Sequence, residues 1–302
     1  MGCWMNWKRG EVRIFDLHSD ILYDLYRSKA EGINNRFENY HVPRLKNSFV
    51  KGGLWTLYSP EDFDLINALK TALAEVNPEL LPDFRIIFGL EGLRNLRLED
   101  LDEVYNLGIR HAMLTWNEEN IYATGVRGNP ARGITWLGKR LLSKMEELGM
   151  IIDLSHLNEK SFFEVLEYTN KNIIYSHGNV KELCDVPRNL STEQMRRLKE
   201  ADGLFGLSLV RFFISTEPEN QNLNYFLDHL DRAVEIMGID NVAFGFDFMD
   251  YLTDENENLD EVPDVTALGF LIAGMKKRGY RDFEIRKICY DNIYQRFANI
   301  II

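Results

Sequence analysis

Six residues scattered through the 302-residue sequence carry side chains that ligate metal ions: His18, Asp20, Glu91, His156, His177 and Asp247. Imidazole nitrogen combined with carboxylate oxygen is the ligand mix for zinc, or for manganese or iron under other availability. His18 and Asp20 stand two apart, and in extended backbone that spacing puts both side chains on one face while Ser19 points away. Three histidines and three carboxylates exceed one tetrahedral site. They suit two ions sharing a bridging carboxylate, an arrangement that holds and activates a hydroxide at neutral pH. Asp247 lies inside the apolar stretch Ala243 to Met249, where a carboxylate needs a charge or hydrogen-bond partner.

The elements that must position these residues alternate. Short β-branched or aromatic runs at Val12–Leu17, Gly53–Tyr58, Arg85–Leu90, Arg110–Thr115, Met150–Leu154, Asn172–Tyr175, Gly203–Leu207 and Val242–Phe246 predict eight strands. Helical patterns intervene at Asp64–Val76, Leu98–Leu107, Thr135–Leu148, Glu159–Tyr168, Thr192–Lys199 and Asn224–Met237, several closed by Gly108, Gly149 or Gly238. This alternation predicts an α/β fold, a single (β/α)8 TIM barrel over residues 1–302, with helices Val265–Arg278 and Phe283–Phe297 as a C-terminal extension. An open sheet with a small extra domain is the competing arrangement. Barrel active sites lie where strands end, and the six residues sit just past the first, third, fifth, sixth and eighth strands. A lone histidine at such a place more often packs than ligates. The other three serve as a control: His41 is expected in a loop, His111 at the start of a strand on the opposite face, and His229 on a helix, all structural.

Composition narrows the partners. With 35 Lys and Arg against 47 Asp and Glu, the formal charge is −12, which repels phosphate backbones and anionic headgroups, so neither nucleic acid nor membrane is expected as a partner. The one basic run, Lys276-Lys277-Arg278, reads as a helix end. Met1–Gly10 has no signal-peptide core, no window is long and apolar enough for a membrane helix, and Cys3, Cys184 and Cys289 are odd in number and scattered. A cytoplasmic location is expected.

The peptides Phe15-Asp16-Leu17-His18-Ser19-Asp20, Gly89-Leu90-Glu91-Gly92, Asp153-Leu154-Ser155-His156, Tyr175-Ser176-His177 and Gly245-Phe246-Asp247-Phe248 resemble the renal or membrane dipeptidase family, peptidase family M19, among the amidohydrolase-type metal barrels. The resemblance runs from about Val12 to Phe297. It implies a dipeptidase with two zinc ions per chain: His18 and Asp20 on one, His156 and His177 on the other, and Glu91 bridging them. Asp247 would be the acid/base beside a bridging hydroxide, and Arg188 would take the C-terminal carboxylate of a small dipeptide. A planar guanidinium suits that group because it binds a carboxylate through two parallel hydrogen bonds. The resemblance further implies tolerance of a C-terminal D-residue and a homodimer.

One departure is visible. Family members carry a histidine after the fourth strand, and here Met113-Leu114-Thr115-Trp116-Asn117 places Trp116 there. An indole donates one hydrogen bond and stacks, but carries neither proton nor charge. Asn117 or Arg211 is expected to supply the missing donor at a substrate-binding position. The alternatives are another amidohydrolase-type reaction, such as cyclic amide or lactone opening or deamination, and a barrel that binds without catalysis. Relatives of the first kind often bridge their metals with a modified lysine at the fourth strand; no lysine occupies that place.

Overall fold

The computed structural model describes residues 12–61, 63–253 and 257–301. The expectations for Met1–Gly10 and Cys3 lie outside the described residues. The eight strands are β1 Ile14–Ser19, β2 Val50–Tyr58, β3 Arg85–Glu91, β4 Ile109–Met113, β5 Ile151–Asp153, β6 Ile173–Gly178, β7 Leu204–Leu207 and β8 Val242–Phe244. Each pairs in parallel with the next, and β8 returns to β1, so the sheet closes into a barrel. Parallel neighbours need long crossovers, and helices supply them: Leu65–Glu75, Trp136–Glu147, Glu159–Tyr168, Thr192–Glu200 and Leu223–Met237 among others. Asp64, Thr135, Asn158, Ser191 and Asn222 cap these five helices, each accepting a hydrogen bond from a first-turn backbone N–H. Those capped starts lie at the same end of the barrel as the strand exits, so they anchor the loops that build the site.

Phe15, Leu17, Leu54, Ile87, Ile151, Ile174, Leu204 and Ala243 pack together inside the barrel, and Tyr290, Ile293 and Phe297 cover them. The C-terminal helices therefore plug the barrel from below. They run as Gly269–Lys277, then Asp282–Arg286 continuing through a π turn, Lys287–Asp291, into Asn292–Phe297. A second, larger apolar layer lies between strands and helices. No helix among the described residues is long and apolar enough to cross a membrane.

The structure departs from expectation at identifiable contacts. β2 starts earlier, at Val50, and takes in Gly52, where a Cβ would stand 2.3 Å from Phe15 Cδ2. β8 stops at Phe244, and beyond it the Phe246 N–H donates to Asp16 Oδ1 at 2.8 Å. The connection from β1 to β2 contains the helix Ile21–Ala30 and a π turn, Phe37–His41, that runs into Val42–Lys46. His41 is therefore in a helical turn and not a loop. It bonds Asp24 at 2.8 Å, and Arg36 Nε donates to the same fully buried carboxylate at 2.8 Å.

This buried cluster fixes the crossover. Burial opposes the charge of Asp24, but the bonds from His41 and Arg36 outweigh it and hold its carboxyl below the usual range. A depressed carboxylate contributes stability above its unfolded value, near pH 4, and loses it as pH falls through the folded value. Asp24→Asn is therefore expected to lower the unfolding free energy at pH 7 by about 3–5 kcal/mol, measured by denaturant melts, with the gap to the parent closing in acid.

Candidate metal centre

The five strand exits converge. His18 lies in β1 with Asp20 just after it, Glu91 ends β3, His177 lies in β6, and His156 and Asp247 follow β5 and β8 by three residues. His156 and Asp247 both adopt left-handed backbone, at φ 68° and 58°. That region is costly for residues with a Cβ and persists where surrounding structure imposes it. Glu91 is followed by Gly92 at φ 80°, where a Cβ would come within 3.2 Å of Trp116 N. All six side chains are buried except that of Asp247, which is partly exposed to the cavity.

The separations are those of a shared polar centre. His156 Nε2 lies 2.8 Å from Glu91 Oε1 and 3.0 Å from His177 Nε2. His18 Nε2 lies 3.6 Å from Asp20 Oδ2, 3.9 Å from Glu91 Oε2 and 3.7 Å from Asp247 Oδ1. The His18 and His177 rings stack with centroids 3.8 Å apart. Ligand atoms of His18, Glu91 and His177 fall within 4.8 Å of one another, as do those of His18, Asp20 and Asp247.

Hydrogen bonds on the far sides of the rings decide what this arrangement can hold. His156 Nδ1 meets Asn117 Oδ1 at 3.0 Å. An amide oxygen only accepts, so Nδ1 carries the proton and Nε2 presents a lone pair. His177 Nδ1 is held by Ser176 Oγ at 2.7 Å. Burial, with the charges of Arg188 and His18, keeps His156 well below its usual pKa, and burial with His18 and Arg188 does the same for His177. Both imidazoles are therefore neutral ligands at physiological pH. Burial also opposes a charge on His18, yet Glu91, Asp20 and Asp247 outweigh it and push its pKa up to about 10. Burial and the neighbouring Asp20 hold the Glu91 carboxyl well above its usual range, and burial raises Asp247. The His156 Nε2 lone pair is thus fixed by Asn117, and with three imidazoles and three carboxyl groups gathered at separations of 2.8 to 3.9 Å this donor set fits divalent cations.

Other groups hold these ligands in place. Thr56 Oγ1 donates to Asp20 Oδ1 at 2.9 Å, and Asp20, although at a helix N-cap, makes no capping bond. Asp16 Oδ1 accepts from the His18 N–H at 3.2 Å as well as from Phe246, tying β1 to the segment that carries Asp247. Burial lifts its pKa to about 7, against the bonds from Phe246 and His18.

The centre floors a cavity of about 520 Å³. Tyr23, Tyr58 and Trp116 form one wall, with ring centroids 5.3 Å apart at each step. Val210, Phe212 and Phe213 contribute an apolar lining. Arg188 reaches the cavity although only 8% exposed: one guanidinium nitrogen donates to His177 O at 3.3 Å, and its Nε has no partner. Arg188 makes no ion pair among the described residues.

Sequence reasoning missed several of these contributions. Tyr23, Tyr58 and Arg127 line the cavity, and Arg127 reaches over the Trp116 ring at 5.8 Å; Tyr58 ends a predicted strand but is not a ligand type, and Tyr23 and Arg127 lie outside the bounded predicted elements. Asn117 lies at the cavity as expected, with its oxygen engaged by His156. Arg211 does not line it: its guanidinium binds Asn258 O at 2.6 Å and Asp260 at 3.0 Å. His111 is not at the opposite face; it is fully buried in mid-β4. His229 is on a helix, as expected, between Val180 N and Ile214 O.

Residues 78–300, well over half of the chain, match the membrane dipeptidase family, peptidase family M19. His18 and Asp20 lie outside the matched residues. The dipeptidase verJ of Clonostachys rogersoniana is 26% identical over 327 aligned positions, covering 94% of this chain and 83% of that protein. Among solved structures, the dipeptidase AC, a metallopeptidase of family M19, superposes with a TM-score of 0.81 at 25% identity, covering 95% of this chain and 98% of that one. A metallopeptidase from Rhodobacter sphaeroides, liganded with a phosphinate mimic of L-Ala-D-Ala, superposes at 0.80 and 24% identity, covering 95% and 99%.

The Asn117 contact yields a test of the geometry. Asn117→Ala leaves the buried His156 Nδ1 without its acceptor, and loss of such an outer partner typically weakens metal binding about 10–100-fold. Calorimetric titration of metal-stripped protein with zinc is expected to show that loss at neutral pH, with the fold intact by circular dichroism.

Proposed function

This chain belongs to the membrane dipeptidase family, peptidase family M19, and is a metallo-dipeptidase; from that premise we propose a zinc enzyme that uses two ions per chain to cleave dipeptides, including those with a C-terminal D-residue. The observation that carries the reading is the convergence on His156 Nε2 of Glu91 Oε1 at 2.8 Å and His177 Nε2 at 3.0 Å, in a cavity also lined by the buried Arg188, whose Nε has no partner. In this reading His18 and Asp20 would hold one ion, His156 and His177 the other, and Glu91 would be shared between them. When bound, the ions lower the pKa of water and polarise the scissile carbonyl.

The chain's own residues do the rest. Arg188 binds the free C-terminal carboxylate of the substrate, which sets a dipeptide apart from a longer chain. Asp247 takes the proton of the attacking water and passes it to the leaving amine, and its raised pKa suits a carboxylate that must both accept and release a proton. Asn117 keeps His156 oriented while it borders the substrate. Trp116 gives the cleft an apolar face where the family resemblance leads one to expect a histidine. The dipeptide mimic bound by the Rhodobacter sphaeroides protein supports an L,D-substrate for a fold of this kind. The reading keeps residues 1–302 as one barrel domain, a homodimer, and a cytoplasmic location. Cys184 and Cys289 are both buried and free, which fits a reducing compartment.

Two outcomes test the proposal. Asp247→Asn is expected to abolish turnover, a loss of at least about 10²-fold by analogy with removal of other general acid–base groups, while zinc content by elemental analysis stays at that of the parent. Undiminished hydrolysis would remove Asp247 from the mechanism. Arg188→Ala is expected to lower kcat/KM for a free dipeptide by about 1.5–3 kcal/mol in transition-state binding, the worth of a hydrogen bond to a charged group. Its effect on the corresponding dipeptide amide, already a poor substrate, should be small. Equal losses on both substrates would dissociate Arg188 from the carboxylate.

A further inference from the structure

Beneath the metal ligands lies a buried pair that the mechanism does not use. Asp153 and His111 are both fully buried, with His111 Nε2 and Asp153 Oδ2 2.8 Å apart. The other carboxylate oxygen, Oδ1, accepts from the Ser155 N–H at 2.9 Å and from the Ser176 N–H at 3.1 Å. Ser155 immediately precedes His156, and Ser176 immediately precedes His177. A single oxygen atom therefore clamps the two backbone segments that present the two neighbouring imidazoles.

Side chains tighten the same knot. Ser155 Oγ lies 3.2 Å from Ser176 Oγ and accepts from the His177 N–H at 3.3 Å, while Ser176 Oγ holds His177 Nδ1. The adjacent strand, β3, is shaped for the pair as well. His111 Nδ1 has no hydrogen-bond partner and fills the space over Gly89, where a Cβ would stand 2.3 Å from it. Glu91 is two residues further along that strand, so the contacts run across β3, β4, β5 and β6, from the strand of the bridging carboxylate to that of His177. Burial opposes the charge of Asp153, but His111 and the donors from Ser176 and Ser155 outweigh it and keep the carboxyl below its usual range. Asp153 is thus an ionised acceptor with each bond directed.

We propose that Asp153 and His111 are a positioning pair for the second metal ion: the carboxylate, oriented by the imidazole from β4, sets the spacing of His156 and His177 and so tunes the affinity of the ion those residues hold. The proposal rests on the two-ion reading given above. His18 in β1 and Asp20 just after it receive no bond from this pair, so the effect is confined to one of the two ions.

The pair can be broken from either side. Asp153→Asn replaces the oxygen facing His111 by a second donor, and His111→Phe removes the donor at similar volume; His111→Gln restores an N–H at comparable reach. Metal-stripped protein is titrated with zinc by calorimetry in competition with a chelator, and melting temperature is read at saturating zinc. Asp153→Asn and His111→Phe are expected to weaken one zinc equivalent about 10–100-fold and leave the other within about threefold, while His111→Gln stays near the parent. Dipeptide hydrolysis should then fall at limiting zinc and recover in excess zinc, with KM little changed. If both zinc equivalents weaken together, or neither does, the pair is merely structural and the proposal fails. If one variant does not fold, the other is read by the same criterion, and failure of both to fold at saturating zinc also assigns the pair a structural role. A parent protein that binds two zinc ions but cleaves no dipeptide overturns the proposed function and leaves this inference standing; a parent that binds none overturns both.

Discussion

The meeting of His156, His177 and Glu91 in the barrel mouth is the constraint that the surrounding contacts serve. His156 Nε2 faces His177 Nε2 at 3.0 Å and Glu91 Oε1 at 2.8 Å, and burial with the neighbouring Asp20 raises the Glu91 carboxyl, a strain that a cation among these groups would relieve. In water each group would be solvated separately. Inside the barrel mouth, burial removes that solvation, and the Asn117 oxygen on the far side of His156 prevents the ring from turning its proton inward. The fold therefore holds in place a donor set that a bound cation would favour, the coupling expected between a preformed site and metal affinity.

Much of the surrounding structure works to maintain this cluster. Two non-glycine residues, His156 and Asp247, are held in left-handed backbone, and each belongs to a segment tied down by a buried aspartate: Asp153 through Ser155 N, and Asp16 through Phe246 N. Asp16 also accepts from His18 N, and Asp153 from Ser176 N. Each aspartate ties together two of the segments that bear the site residues. The arrangement meets a problem particular to barrels, in which the strand order is fixed by the backbone ladder but the last residue of each strand is free to fray. A buried carboxylate receiving N–H groups from two strands replaces the ladder where it ends.

The sequence revealed the barrel because βα alternation is local, and the strand-exit side chains because three histidines and three carboxylates recurred at the ends of five runs. What it left hidden is mostly partnership across long separations. Asn117 meets His156 across 39 positions and His111 meets Asp153 across 42, and no spacing rule joins such residues. His111 was placed at the far end of the barrel because its strand was read as Arg110–Thr115; β4 runs Ile109–Met113, ending two residues earlier, which puts His111 in mid-strand. Asp20 precedes the helix Ile21–Ala30 and by type could cap it or serve as a ligand; its side chain makes no capping bond and accepts from Thr56 at the centre. Trp116 was visible as a departure from the family pattern; the aromatic wall it forms with Tyr58 and Tyr23 was not, because the three come from separate elements: the loop after β4, the end of β2 and the helix Ile21–Ala30.

The central claim is that this cluster of acceptors exists to hold two cations about a shared carboxylate. Diffraction from zinc-soaked crystals, recorded above and below the zinc absorption edge, tests it most directly. The account predicts two anomalous peaks per chain, one against His18 and Asp20 and one against His156 and His177, with Glu91 between them. A single peak, or peaks elsewhere on the molecule with the imidazoles of His156 and His177 still facing each other unbridged, would contradict it.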